Sequence, residues 1–386
     1  MESPNCNLNT VKMQRIKWVD ELKGAILIFI CMGHLAGMIP VPSTIKTSAD
    51  VLTMVGVPTF FFLSGLLYSA KDNSYRKYFI RKTESLFFPY LLMSLLFSVL
   101  DPYVYCPQFL IEELHYPRLS QLSQLGLDSQ FQASLEFFLG DICCTAIGIS
   151  SRATLPLWFV FVLYFVSIAY HCLYVRTKSQ KVMAPIAIFC CVIAFLLSNV
   201  GIGVYMKIVP CFMAFFYYWF GTVFFQQKKW LETISTYLLV GLSVLLFYVF
   251  YILAPAVVED VSFVNGFFPI AKPVMYFVCS FSGMLCFVIL FKLLSQLSLW
   301  GFDVLKGVLR NIARNSLIVL AMHYWALVSF RLFISPYIPY AYQLFASVLF
   351  VILVCVVSIA LFRTRLYIFI GGRRARQSLS VCFSIN

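Results

Sequence analysis

The chain has 386 residues, of which 61% are hydrophobic and only 12% charged, with 40 phenylalanines and a formal net charge of +13. A soluble domain is nearer half apolar and a quarter charged, so this composition excludes an ordinary soluble enzyme and defines a polytopic membrane protein. The positive charge needs no nucleic-acid partner, because topology determinants and contacts with lipid headgroups account for it.

Residues up to Trp18 are polar and mixed, which does not fit a secretory signal peptide, so the first apolar segment is expected to be a retained anchor. Ten segments near the ~20 residues needed to span a bilayer follow. They cover 22–41, 48–70, 79–100, 155–175, 182–200, 203–225, 231–254, 267–294, 312–333 and 341–362. The predicted fold class is therefore all-α, a polytopic membrane helix bundle of about ten transmembrane helices. Residues 1–17 form a cytoplasmic N-terminal tail, 18–365 the transmembrane domain and 366–386 a basic cytoplasmic C-terminal tail. With both termini inside, all but six of the 29 Lys and Arg residues (Lys46, Arg118, Arg152, Lys207, Lys272 and Arg331) fall on the cytoplasmic side. That positive-inside asymmetry predicts an N-in/C-in topology.

The first segment carries the chain's main chemical signal. Asp20 stands just before it, Lys23 at its start and His34 inside its apolar run. Eleven helical residues separate Lys23 from His34, about 16 Å at 1.5 Å per residue, which puts His34 near the middle of a core about 30 Å thick. An ionisable group at that depth is costly and points to function. Lys23 is expected at the cytoplasmic mouth, either snorkelling to the surface or holding an anionic ligand. The second segment contains Pro58-Thr59-Phe60-Phe61-Phe62-Leu63-Ser64-Gly65, read as a kink followed by close helix approach. Ser64 lies outside a G-x-S-x-G elbow and is not expected to be a hydrolase nucleophile.

A basic group, Arg76, Lys77, Arg81 and Lys82, precedes the third segment. Clustered cations at the mouth suit the phosphates of a nucleotide-like donor, as they also suit topology. Residues 101–154 form the one sizeable loop, with an apolar or amphipathic piece near 131–148. Its carboxylates (Asp101, Glu112, Glu113, Glu136, Asp141) and tyrosines (Tyr103, Tyr105, Tyr116) suit a sugar-facing surface. The 13 cysteines show neither a disulfide framework nor metal spacing, although Cys106, Cys143 and Cys144 share the outer loop. No metal site is expected. In the ninth segment His323 lies nine residues beyond Arg314, about 14 Å, so His34 and His323 reach comparable depth in a shared polar cavity. A histidine so placed accepts and returns a hydroxyl proton, or ties helices together.

Four stretches in order resemble the membrane acyltransferase-3 family of bacterial multi-pass enzymes. They are Asp20-x-x-Lys23-Gly24 to Gly33-His34, Pro58 to Gly65, Pro156-Leu157-Trp158-Phe159, and Asn315-Ser316 through His323. Where many members carry an R-x-x-R pair, this chain has Thr83, Glu84 and Ser85, and Arg81 and Lys82 are its nearest cations. The resemblance implies transfer of an acyl group, usually acetyl from acetyl-CoA as co-substrate with no bound cofactor, to a hydroxyl of a cell-surface or exported glycan. It implies His34 at the reaction centre with Lys23 as its companion. With it, the expected site is His34, Lys23 and His323 for catalysis, and Asp20, Arg81, Lys82 and Arg314 for the donor. Expected partners are the acyl-CoA, a glycan or lipid-linked sugar acceptor and the bilayer, and the expected location is the bacterial inner membrane. A proton-coupled secondary transporter or glycan-lipid flippase, with His34 and His323 as relay, is the alternative. No internal repeat supports it.

Overall fold

A computed structural model of the protein describes residues 16–69, 74–104, 130–148, 156–199, 208–226, 234–258, 271–298 and 300–370. These residues are overwhelmingly helical, and no strand occurs among them. In chain order the helices are α1 (Lys17–Met38), α2 (Ser43–Leu66), α3 (Tyr75–Lys82), α4 (Phe88–Val104), α5 (Gln130–Ala146), α6 (Trp158–Thr177) and α7 (Gln180–Asn199). They continue as α8 (Ile208–Gln226), α9 (Thr236–Val258), α10 (Ala271–Leu294), α11 (Trp300–Arg314), α12 (Ser316–Phe333) and α13 (Tyr340–Thr364). A π-turn at Thr83–Phe87 joins α3 to α4 as one run. Nine helices among the described residues are long and apolar enough to span a membrane, and the shorter Val209–Phe224 stretch supplies a tenth apolar rod. The protein is thus an all-α polytopic membrane bundle.

Local chemistry explains where the rods stop. α1 ends at Met38 because Ile39 precedes Pro40 and is extended, with φ −109° and ψ 141°. α2 starts directly after Pro42 and continues through Pro58 to Leu66. Pro58 has no N–H to give to the Met54 carbonyl, one turn earlier. The Tyr276 hydroxyl of α10 donates to that carbonyl at 3.4 Å. An orphaned acceptor in hydrocarbon is costly, so this bond from a neighbouring helix lets α2 remain a single rod.

Small residues set the closest approaches. A Cβ on Gly65 would lie 1.9 Å from the Tyr218 carbonyl oxygen of α8, and one on Gly221 would lie 2.1 Å from that of Phe62 on α2. Two backbones therefore touch reciprocally through two glycines, as packing without a hydrophobic driving force requires. A Cβ on Gly33 would meet Thr53 Oγ1 at 1.9 Å. The Thr53 hydroxyl sits there against the α1 backbone, 3.2 Å from the Phe29 carbonyl and 2.8 Å from that of Ala49. Helices α2 and α12 are the most enclosed spans, whereas α9 and α13 face outward along most of their length. Their exposed Val244, Tyr251, Leu353 and Val356 present an apolar surface suited to lipid.

One element is absent from the ten segments read in the sequence. α11 is a 15-residue amphipathic helix with Trp300, Val304, Leu305 and Val308 exposed. Its other face buries Lys306, Leu309 and Ala313. It packs on α1, where a Cβ on Gly24 would lie 2.1 Å from the Leu309 carbonyl oxygen. A short helix with one apolar face turned outward fits a position along the membrane surface.

Candidate active site

The site grows out of two helices, α1 and α12. They run parallel: Lys23 and Ser316 line one cavity, and further along the same two helices His34 meets His323. The cavity has a volume of about 200 Å³. Its polar groups are the Lys23 ammonium and the hydroxyls of Ser64, Ser85 and Ser316, set among Phe60, Phe159 and several aliphatic side chains. Lys23 Nζ stands 5.9 Å from the Phe60 ring centre, a position from which the ring face attracts a cation. Ser64 donates to the Phe60 carbonyl at 2.8 Å, within its own helix, which fixes the hydroxyl's direction.

Leu27 and Leu320 form part of the cavity wall. His323 follows Leu320 by three residues, about 4.5 Å, and His34 follows Leu27 by seven, about 10.5 Å. The two imidazole centres are 5.4 Å apart and tilted by 39°. Tyr324 presents an edge to His34 at 5.3 Å with an interplanar angle of 89°. His323 is fully buried, whereas His34 retains a partly open surface.

Hydrogen bonding fixes the His323 tautomer. Its Nδ1 lies 2.9 Å from the Val319 carbonyl oxygen, and a carbonyl only accepts, so Nδ1 carries the proton. Nε2 is left as the ring's lone-pair nitrogen, buried and with no hydrogen-bond partner. Buried polar atoms are nearly always paired, and one that is not points to strain, to a functional role or to an unplaced water or ion. An acceptor of this kind beside a second, more accessible imidazole can pass a proton along the pair.

The remaining expected residues fall into different places. Asp20 is half-buried one turn before Lys23. Arg81 is exposed and Lys82 half-buried, both held over the Tyr78 ring at 5.1 Å and 5.5 Å. The π-turn that follows carries Ser85 and Leu86 into the cavity wall. Arg314 is exposed at the last turn of α11, two residues before Ser316. Cys106, Glu112, Glu113, Tyr105 and Tyr116 lie outside the described residues; of the same loop, Asp141, Cys143 and Cys144 lie on α5, where Asp141 is buried.

Other groups make contacts that no sequence pattern announces. Glu21 is buried at 3% exposure and pairs with Arg310 of α11 at 3.7 Å. Asn315, also buried, stands between α11 and α12, where its carbonyl oxygen accepts from Arg363 Nε at 2.7 Å and its amide donates to the Asn311 carbonyl at 2.8 Å. A third intramembrane histidine, His171, lies within the fourth segment assigned from the sequence. It stacks on Tyr78 at 3.8 Å and sits 2.9 Å from the Tyr68 hydroxyl. A carboxylate at the edge of the first apolar segment and an amphipathic run at 300–314 are the sequence signals for Glu21 and its partner.

Fold and site together define a multi-helix membrane protein with a cavity lined by Lys23 and, further along the same two helices, a histidine pair. Residues 16–362 match the acyltransferase-3 family model, described as an acyltransferase domain, and the chain belongs to that family. It is a membrane acyltransferase. No curated protein and no solved structure matches the chain.

Proposed function

We propose that the chain transfers a short acyl group, acetyl from acetyl-CoA, to a hydroxyl of an exported or cell-surface glycan. The observation that carries this reading is the placement of a lysine-lined cavity and a histidine pair along the same two helices. Coenzyme A carries its negative charge at the nucleotide end and its thioester at the far end of an extended arm. Lys23 suits the former, with Arg81, Lys82, Asp20 and Arg314 grouped toward the same end of the bundle. His34, about 16 Å further along α1, suits the latter.

In this reading a nitrogen of His34 takes the proton of the acceptor hydroxyl as its oxygen attacks the thioester carbonyl. The carbon–sulfur bond then breaks, coenzyme A leaves as the thiolate, and the proton taken up by the pair returns to that sulfur. His323, with its Nε2 free to accept, serves as relay. The cationic ends of the helices favour an N-in/C-in orientation in a bacterial inner membrane, so that the donor enters from the cytoplasm. Family membership gives no support to a proton-coupled transporter or flippase.

The test uses membranes containing the full chain and radiolabelled acetyl-CoA, with label followed into the glycan fraction. Wild-type protein is expected to transfer label and His34→Ala protein to lose transfer while still inserting. Purified protein should also gain thermal stability on saturation with acetyl-CoA, since a ligand that binds only the folded state raises its apparent stability. Lys23→Met should lose that gain. Transfer by His34→Ala at the wild-type rate would overturn the assignment of the base.

A further inference from the structure

A second cavity lies away from the histidine pair, between α3 and α6. Its volume is about 340 Å³, and it is lined by Tyr75, Arg76, Phe79, Ile168, His171 and Cys172 among others. That size falls within the range of small-molecule pockets, roughly 300–1,000 Å³. It opens outward: Phe79 is 48% exposed, and Phe165, one turn before Ile168 on α6, is 45% exposed. Most of its wall is ring face and aliphatic carbon, and two of the polar atoms on it are already engaged. The Tyr75 hydroxyl donates to the Cys172 carbonyl at 2.9 Å, and His171 Nδ1 is 2.9 Å from the Tyr68 hydroxyl. Little remains in the wall to recognise a polar ligand, but it would shelter a hydrocarbon chain.

The rim is cationic. Arg76 lines the cavity and Lys77 beside it is exposed. From the last turn of α6, Arg176 places its guanidinium 5.9 Å from the Tyr75 ring centre. An apolar cleft open to the lipid side, edged by arginines from two helices, is complementary to a single amphiphile with an apolar tail and an anionic head. We propose that this cleft is a binding site for an anionic phospholipid, with one acyl chain between α3 and α6 and the phosphate at Arg76 and Arg176. Occupancy ties α3 to α6, and α3 leads through the π-turn to Ser85 in the wall of the active-site cavity. The site does not depend on the transfer chemistry, since it shares none of its residues with the histidine pair or the Lys23 cavity.

The experiment places purified protein in zwitterionic phosphatidylcholine nanodiscs and titrates in phosphatidylglycerol. Bound lipid is counted by native mass spectrometry and unfolding temperature is recorded. Saturable binding of phosphatidylglycerol with a raised unfolding temperature is expected. Arg76→Gln with Arg176→Gln should weaken it about thirtyfold, which is about 2 kcal/mol at 1.4 kcal/mol per tenfold, or about 1 kcal/mol per cation. Ile168→Trp, which fills the cleft from a half-buried position in its wall, should abolish it, whereas His34→Ala should bind as wild type. The proposal falls if phosphatidylcholine is retained equally well or if both cleft variants keep wild-type affinity. It also falls if glycerol 3-phosphate, which has no tail, stabilises the protein as much as the lipid does.

Discussion

The contact between His34 and His323 makes a quantitative prediction. A positioned acid–base group contributes about 10²–10⁴ in rate, which is about 3–5 kcal/mol at 1.36 kcal/mol per tenfold. Replacing His34 by Gln is expected to lower transfer by that factor. His323 needs a substitution that preserves its structural bond, because Nδ1 serves the Val319 carbonyl at 2.9 Å within the helix. His323→Asn keeps a donor for that carbonyl and removes the Nε2 acceptor. In the proposed relay the two groups, with ring centres 5.4 Å apart, share one proton path, so the double variant should be no more than about tenfold worse than the poorer single variant. Independent contributions would multiply to about 10⁴–10⁸, a coupling difference far above the ~0.5 kcal/mol within which distant sites add. Initial rates of label transfer in membranes, normalised to inserted protein, decide between them. Multiplicative losses, or a His34→Gln rate within twofold of wild type, would refute the relay.

Two stability predictions concern the junction of α1 with α11. Arg310→Gln leaves Glu21, 3% exposed, without its partner and should cost about 1–3 kcal/mol, read as a lower unfolding temperature. Adding Glu21→Gln should recover most of that loss, and no recovery would mean that the pair is not what holds the helices. Gly24→Ala places a methyl 2.1 Å from the Leu309 backbone oxygen and should cost about 1–3 kcal/mol as the helices separate. Gly307→Ala, with nothing within 4 Å of the new methyl, should be neutral or slightly stabilising by the same measurement.

Hydropathy reads long spans well because each must satisfy its own backbone in lipid and therefore cover about 20 apolar residues. All ten segments correspond to helices, with ends displaced by a few residues; the first is read as 22–41 and observed as Lys17–Met38. The displacement has a cause. Asp20 and Glu21 lie just before the apolar run, but α1 continues back through them to Lys17, with Glu21 paired to Arg310 from another helix. α11 escaped for the complementary reason: it lies with one face outward, so its 15 residues never form an unbroken apolar run. It merged with the start of the ninth segment at 312, and the break at Asn315 is held by contacts to Arg363 and Asn311 that no local pattern announces.

The same division runs through the site. Helical rise along single rods accounts for the depth of His34 and His323, and so their level was legible. That the rings face one another depends on how α1 and α12 rotate about their axes. Gly33, whose absent side chain admits Thr53, and Gly24, whose absent side chain admits the Leu309 backbone, fix α1 against its neighbours on two sides. The third and fourth hydrogen-bonding groups of the cavity, Ser85 and Ser316, arrive from a π-turn and from a helix start. Ser85 is an ordinary serine in sequence and Ser316 enters there only within the stretch to His323, and both share the cavity with Lys23. Ser64 shows the converse. It lies outside a G-x-S-x-G elbow, yet it lines the same cavity, with Gly65 beside it drawing α2 against α8. Glycine contacts thus determine which polar groups converge, and substitutions at Gly33 or Gly65 should weaken the thermal stabilisation by acetyl-CoA that the proposed function predicts, although neither residue lines the cavity.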